Sequence, residues 1–86
     1  GKDSKLIQVE KKFLWENGMQ IDIGFVGEVT GVNTEVLLGM LKSGFIPVIS
    51  PIGTDEQGNS YNVNADSAAA HISGALHADK LLVMTD

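Results

Sequence analysis

The sequence predicts an α/β fold, and three features carry that prediction. Apolar and polar residues alternate over residues 5–14 and again from Ile21 to Val26, which is the period of half-buried strands. Two later stretches, capped by Asn33 and Asn64, switch to helical spacing. Short, almost wholly apolar runs, Phe45 to Ser50 and Lys80 to Thr85, come after those helices, as buried parallel strands do. Strand, helix, strand, hairpin, helix, strand is the order of an α/β unit with crossover helices and a mainly parallel sheet.

Along the first strand, Ile7, Val9, Lys11 and Phe13 fall on one side and Leu6, Gln8, Glu10 and Lys12 on the other. Glu16-Asn17-Gly18 supplies turn chemistry. In the second strand Ile21, Ile23 and Phe25 alternate with Asp22 and Gly24, and Gly24 and Gly27 point to a bulge or a close backbone approach. The first helix begins at Asn33-Thr34-Glu35. Its apolar positions are Val36, Leu37, Met40 and Leu41; Lys42 suits the negative helix end and Gly44 stops it. Pro47 stands near the start of the next strand, where a missing N–H is tolerated. Thr54 to Ser60 is polar and turn-rich, a hairpin tip or an exposed loop. The second helix runs from about Ala65 to Leu76. Ala65, Ala68, Ala69, Ile72 and Leu76 form its apolar stripe, and the small alanines imply close helix-to-sheet packing.

Eighty-six residues suffice for one small domain, and no repeat or linker divides them. A net charge of −5 with no basic cluster argues against a nucleic-acid partner. The absence of cysteine removes disulfides, thiol nucleophiles and thiolate metal sites, and it fits a cytoplasmic location. No apolar run reaches the roughly 20 residues that span a bilayer, so no membrane is expected as a partner. The chain opens without methionine and stops after the apolar run Leu81 to Thr85; a longer parent protein is expected.

The candidate chemistry concentrates in Tyr61-Asn-Val-Asn-Ala-Asp66, where a strand passes straight into an Ala-rich helix. Two carboxamides and a carboxylate, two residues apart, arrive where unpaired N–H groups and the helix dipole favour anions. Capping by Asn64 and a dipole interaction of Asp66 also account for these residue types. Other signals are weaker. No GxGxxG or GxxxxGK[ST] pattern is present, and Gly27 to Gly31 is Gly-flanked without a lysine. His71 and His77 have no partners at metal-ligand spacing, so a structural role is expected and no metal site. Met19, Met40 and Met84 read as packing residues, and Trp15 as a surface or interface anchor.

Four phrases, in order and register, resemble one family. They are Asp22-Ile-Gly-Phe-Val-Gly-Glu-Val29, Gly44-Phe-Ile-Pro-Val-Ile-Ser-Pro-Ile-Gly53, Tyr61-Asn-Val-Asn-Ala-Asp66 and Leu81-Leu-Val-Met-Thr-Asp86. Together with the opening Gly1-Lys2-Asp3 they are similar to the acetylglutamate kinases of the amino-acid kinase family, over essentially the whole chain. The resemblance implies a three-layer αβα sandwich, residues 1–86 being a single partial domain from the later part of the N-terminal, acceptor-binding lobe. It implies transfer of the γ-phosphoryl of ATP, with Mg2+, to the side-chain carboxylate of N-acetyl-L-glutamate, a step of arginine synthesis. Position by position, Asn62 falls where the family binds the acceptor, and Asn64 supports the site or caps the helix. Asp66 falls where an acid organises two catalytic lysines, and Thr85 and Asp86 match the start of the nucleotide-binding turn. None of the six lysines matches either catalytic lysine, so the isolated segment is expected to be inactive. The family also implies a homo-oligomer and, in some members, a nitrogen-regulatory protein partner. Two alternatives are a kinase of carrier-protein-linked aminoadipate, which tends to carry Asp at position 64, and a non-catalytic α/β ligand-sensing or interaction module.

Overall fold

A computed structural model describes residues 6–84 of the chain. In order these form β1 (Ile7–Glu16), β2 (Met19–Val32), α1 (Thr34–Lys42), β3 (Ile52–Thr54), β4 (Ser60–Asn62) and α2 (Ala65–Ala75). The α/β class holds, and so does the hairpin at Thr54 to Ser60, which joins β3 to β4.

The strands close into a ring. β1 pairs antiparallel with β2, and β4 antiparallel with β3; β1–β3 and β2–β4 are parallel. The sheet is therefore mixed where a mainly parallel one is expected from the sequence. The reason is local. Asn17 (φ 52°) and Gly18 (φ 76°) form a two-residue turn, which twists with the strands and joins β1 directly to β2. Strands so joined can pair only antiparallel, whereas the two parallel pairings span α1.

β2 also bulges. Between Lys11↔Gly27 and Phe13↔Asp22 the register slips, so that β2 spends extra residues around Gly24. Gly24 sits at φ 82° with its N–H on Asp22 Oδ1 at 2.8 Å. The excursion frees Val26 to pair with Asn62 of β4.

The core comprises Ile7, Val9 and Val29 from the long hairpin, Tyr61 and Val63 from the β4 segment, and Ala68 from α2, with Ile72 packed against them. The alanine stripe thus brings α2 onto the sheet as its composition implies. Leu37, 1% exposed, is the buried residue of α1. Both helices end in the same way. Gly44 (φ 84°) donates to Leu41 O and Phe45 to Met40 O; His77 (φ 54°) donates to Gly74 O and Ala78 to Ser73 O. This is the Schellman arrangement, and His77 takes the left-handed position that usually falls to glycine.

Two expected strands are absent among the described residues. Residues 45–50 and 80–84 form no strand; Ile49 packs against the core, but most of their other apolar side chains are exposed, Val48 and Met84 each 96%. Among the described residues neither segment pairs with any of the four strands.

The hairpin tip is organised by Asp55. Its carboxylate accepts the N–H of Gln57 (3.0 Å), the N–H of Asn59 (2.8 Å) and the Asn59 amide (3.1 Å). Burial pushes the Asp55 carboxyl up, but these bonds outweigh it and hold the group below its ordinary 3.8. A carboxyl depressed by folding contributes stability above its unfolded value, and that contribution is lost as pH falls through the lower folded value. NMR titration of the Asp55 carboxyl carbon is therefore expected to give a midpoint below 3.8, and Asp55→Asn to flatten the acid limb of stability in that range.

Packing makes a second prediction. A Cβ on Gly53 would run into Val9 Cγ1 and lie 3.1 Å from the Ile7 carbonyl, whereas one on Gly39, inside α1, meets nothing within 4 Å. In equilibrium unfolding of the full-length protein, Gly53→Ala is expected to cost about 1–3 kcal/mol by overpacking. Gly39→Ala is expected to add about 0.5–1 kcal/mol through helix propensity.

Candidate functional site

Only two residues separate the end of β4 at Asn62 from the start of α2 at Ala65, so strand becomes helix within one short step. Side chains alternate along an extended segment. Tyr61 and Val63 are buried at 6% and 8% exposure, which turns Asn62 and Asn64 to the opposite, solvent-facing side. The backbone of Asn62 is held from two directions, opposite Val26 of β2 and Ile52 of β3. The next residue, Val63, donates to Pro51 O at 3.0 Å.

Asn64 is the helix cap. Its Oδ1 accepts the Ser67 N–H at 2.9 Å, and its carbonyl accepts the first helical bond, from Ala68, at 2.9 Å. Capping is one of the two readings left open for Asn64 in the sequence, and its side-chain oxygen is committed to it. Asp66 stands exposed in the first turn of α2, at the positive end of the helix dipole. Within the described residues neither the Asn62 amide nor the Asp66 carboxylate is engaged in a hydrogen bond or ion pair, so both are available to a ligand. Thr85 and Asp86 lie outside the described residues.

Behind the junction, Tyr61 faces a cleft of about 690 Å³ between β1 and the β3–β4 hairpin. Its ring lies 5.5 Å from that of Phe25, tilted by 48°. Burial, and with it the nearby Asp55 carboxylate, raises the Tyr61 hydroxyl above its ordinary value. Lys11 Nζ is 2.7 Å from Asp22 Oδ2 and lies 5.4 Å and 5.9 Å from the ring centres of Phe13 and Phe25. The Asp22 bond raises the Lys11 ammonium; the same bond, with the Gly24 N–H, lowers the Asp22 carboxyl. The pair is exposed and contributes little to stability.

Asn62, Asn64 and Asp66 line neither this cleft nor two smaller ones; their neighbour Ala65 lines an apolar cleft of about 380 Å³ between Pro51, α2 and Leu81. The sequence-predicted residues are thus brought together on one junction, on open surface. Asp55 and Tyr61 were missed as a pair. The signal for Asp55 was present, since Asp four residues before Asn and three before Gly is turn chemistry. Nothing in sequence spacing ties it to Tyr61.

His71 Nδ1–H donates to the Ser67 carbonyl at 2.8 Å, within its own helix. No group of three His, Cys, Asp or Glu able to hold a metal occurs among the described residues. No helix there is long and apolar enough to cross a membrane. Trp15 is exposed at the end of the β1–β2 hairpin.

Residues 2–86 match the amino acid kinase family. The chain is 55% identical over its whole length to an acetylglutamate kinase of Clostridium acetobutylicum, of which it spans 29%. It is 52% identical to one from Desulforamulus reducens, again spanning 29%, and 45% identical to one from Methanopyrus kandleri, spanning 35%. It covers about a third of the length of the curated relatives it matches. Among solved structures, smu.665 from Streptococcus mutans UA159 superposes with a TM-score of 0.81 at 31% identity, over 100% of this chain and 33% of that one. The shared geometry, the match across residues 2–86 and the identity to relatives place this chain in the amino acid kinase family.

Proposed function

We propose that the 86 residues are the later part of the acceptor-binding lobe of a kinase that phosphorylates the side-chain carboxylate of N-acetyl-L-glutamate with ATP, a step of arginine synthesis. The observation that carries this reading is the strand-to-helix junction, which leaves an unpaired amide, Asn62, and an unpaired acid, Asp66, exposed on either side of the helix start. The identity to acetylglutamate kinases across the whole chain supports it.

Attack of a carboxylate on a polyphosphate brings anions together, so the reaction requires alignment and charge neutralisation. Asn62 suits acceptor binding because an amide both donates to a carboxylate and accepts from an amide N–H. Asp66 is not needed as a base, since the attacking carboxylate is already ionised at neutral pH. Its role is to organise cationic side chains supplied from outside these residues. Asn64 supports the site by starting the helix.

The described residues do not by themselves fit ATP with Mg2+: no cluster of acids or histidines gathers to hold the ion, and Thr85 and Asp86, the positions proposed for the nucleotide turn, lie outside them. No step is assigned here to the metal. A homo-oligomer, a cytoplasmic location and, in some relatives, a nitrogen-regulatory protein belong to the same proposal.

Steady-state kinetics of the full-length protein, with the acyl phosphate trapped by hydroxylamine, test these roles. Asn62→Ala is expected to raise the acceptor KM about ten- to hundredfold with little change in kcat, the effect of losing one charge-assisted hydrogen bond. Asp66→Asn is expected to lower kcat by about 10²-fold, as loss of an electrostatic organiser does. Wild-type constants for both variants would remove the assignment. Turnover of carrier-linked aminoadipate in place of free acetylglutamate would move the protein to the lysine-type kinase. Absence of any ATP-dependent turnover in the full-length protein would favour the non-catalytic module. The isolated 86-residue chain is expected to show none.

A further inference from the structure

Between the rungs Lys11↔Gly27 and Phe13↔Asp22, β1 spends one residue, Lys12, where β2 spends four, Ile23 to Val26. This excursion carries the contacts of β2 with β4. Val26 pairs with Asn62, and the Phe25 ring lies 5.5 Å from that of Tyr61. β4 is three residues long and one parallel rung ties it to β2, so the shape of the excursion decides where Asn62 stands.

One carboxylate holds that shape. Asp22 Oδ1 accepts the Gly24 N–H at 2.8 Å, where the chain turns through the left-handed region at φ 82°. Asp22 Oδ2 accepts the Lys11 ammonium at 2.7 Å. Lys11 and Asp22 belong to the two rungs that bound the excursion, one on each strand, so their bond ties its mouth. The Asp22 side chain is 57% exposed and lies outside the core; its contacts shape backbone rather than fill space. We infer that Asp22 is a positioning residue for the acceptor: by fixing the excursion of β2 it places Val26 and, through the Val26↔Asn62 rung, the Asn62 amide. This rests on the reading of Asn62 as an acceptor ligand. Asp22 acts through Gly24, Val26 and Asn62 in turn, not on the substrate.

The test is a mutant cycle on the full-length protein. Asp22→Ala removes both bonds, whereas Asp22→Asn keeps a side-chain oxygen for the Gly24 N–H. Asp22→Ala is expected to raise the acetylglutamate KM about three- to tenfold, with kcat and the ATP KM within about twofold, as a small misalignment of one binding group does. Asp22→Asn is expected to bring the acceptor KM back to within about twofold of wild type, because the turn at Gly24 is restored. In the Asn62→Ala background Asp22→Ala is expected to add nothing, since the group it places is gone. A purely structural role would instead lower the melting temperature and move all three constants in both backgrounds alike, which overturns the inference. So does an Asp22→Asn variant with the acceptor KM of Asp22→Ala. An unchanged acceptor KM for Asp22→Ala, beside a raised one for Asn62→Ala, overturns the positioning role alone. An unchanged KM for Asn62→Ala overturns the acceptor reading and the positioning role with it.

Discussion

At Gly27 the backbone of β2 comes closer to Tyr61 and Val9 than any side chain would permit, and the ring of Tyr61 fills the space beside it against Phe25. That contact fixes which way β4 faces. With Tyr61 and Val63 committed to the core, the alternation of an extended chain leaves Asn62 and Asn64 on the outside. The polar face of the junction is therefore a consequence of its apolar face. A shift of one residue in register would exchange the two sets, burying two amides and exposing an aromatic ring and a valine.

The bulge in β2 belongs to the same arrangement. A regular β1–β2 ladder would keep both strands in register to the turn at Asn17-Gly18. Instead β2 departs around Gly24, and the departing segment carries Phe25 to Tyr61 and Val26 to Asn62. Gly24 can hold φ 82° without strain and Asp22 anchors its N–H, so a local irregularity delivers a long-range contact. Lys11 closes the outer side, bonded to Asp22 and lying over the rings of Phe13 and Phe25. Its ammonium stays near water while its stem covers the aromatic surface.

Much of this was legible in the residues. The Asn33 and Asn64 helix starts, the stop at Gly44, the hairpin between Thr54 and Ser60, the bulge at Gly24 and the close approach at Gly27 all follow from local rules, because each is decided by a few neighbouring residues. The mixed character of the sheet was not, since periodicity shows that a segment is extended but not what it pairs with. Residues 45–50 and 80–84 illustrate the same gap: their apolar runs have strand composition, yet a strand exists only where a partner edge exists. At the site, Asn62, Asn64 and Asp66 were found because they share one short motif. Tyr61 and Asp55 were not found as neighbours, because their proximity spans a hairpin whose register the sequence leaves open.

The division of labour at the junction follows from how many groups a helix start can satisfy. The first N–H groups of α2 lack partners inside the helix, and Asn64 takes one of them, that of Ser67. Had Asp66 served as the cap, its charge would be spent on the helix; as the second helical residue it lies beside the positive end without closing it. An acid so placed is left exposed, and under the proposed reading it can draw cations toward an incoming anion. Asn62, neutral and one step earlier on the strand, can approach a carboxylate at no electrostatic cost. Under the proposed reading, a negative charge at position 62 would repel the acceptor carboxylate and a positive one would draw off its charge, whereas a neutral amide binds it without either effect.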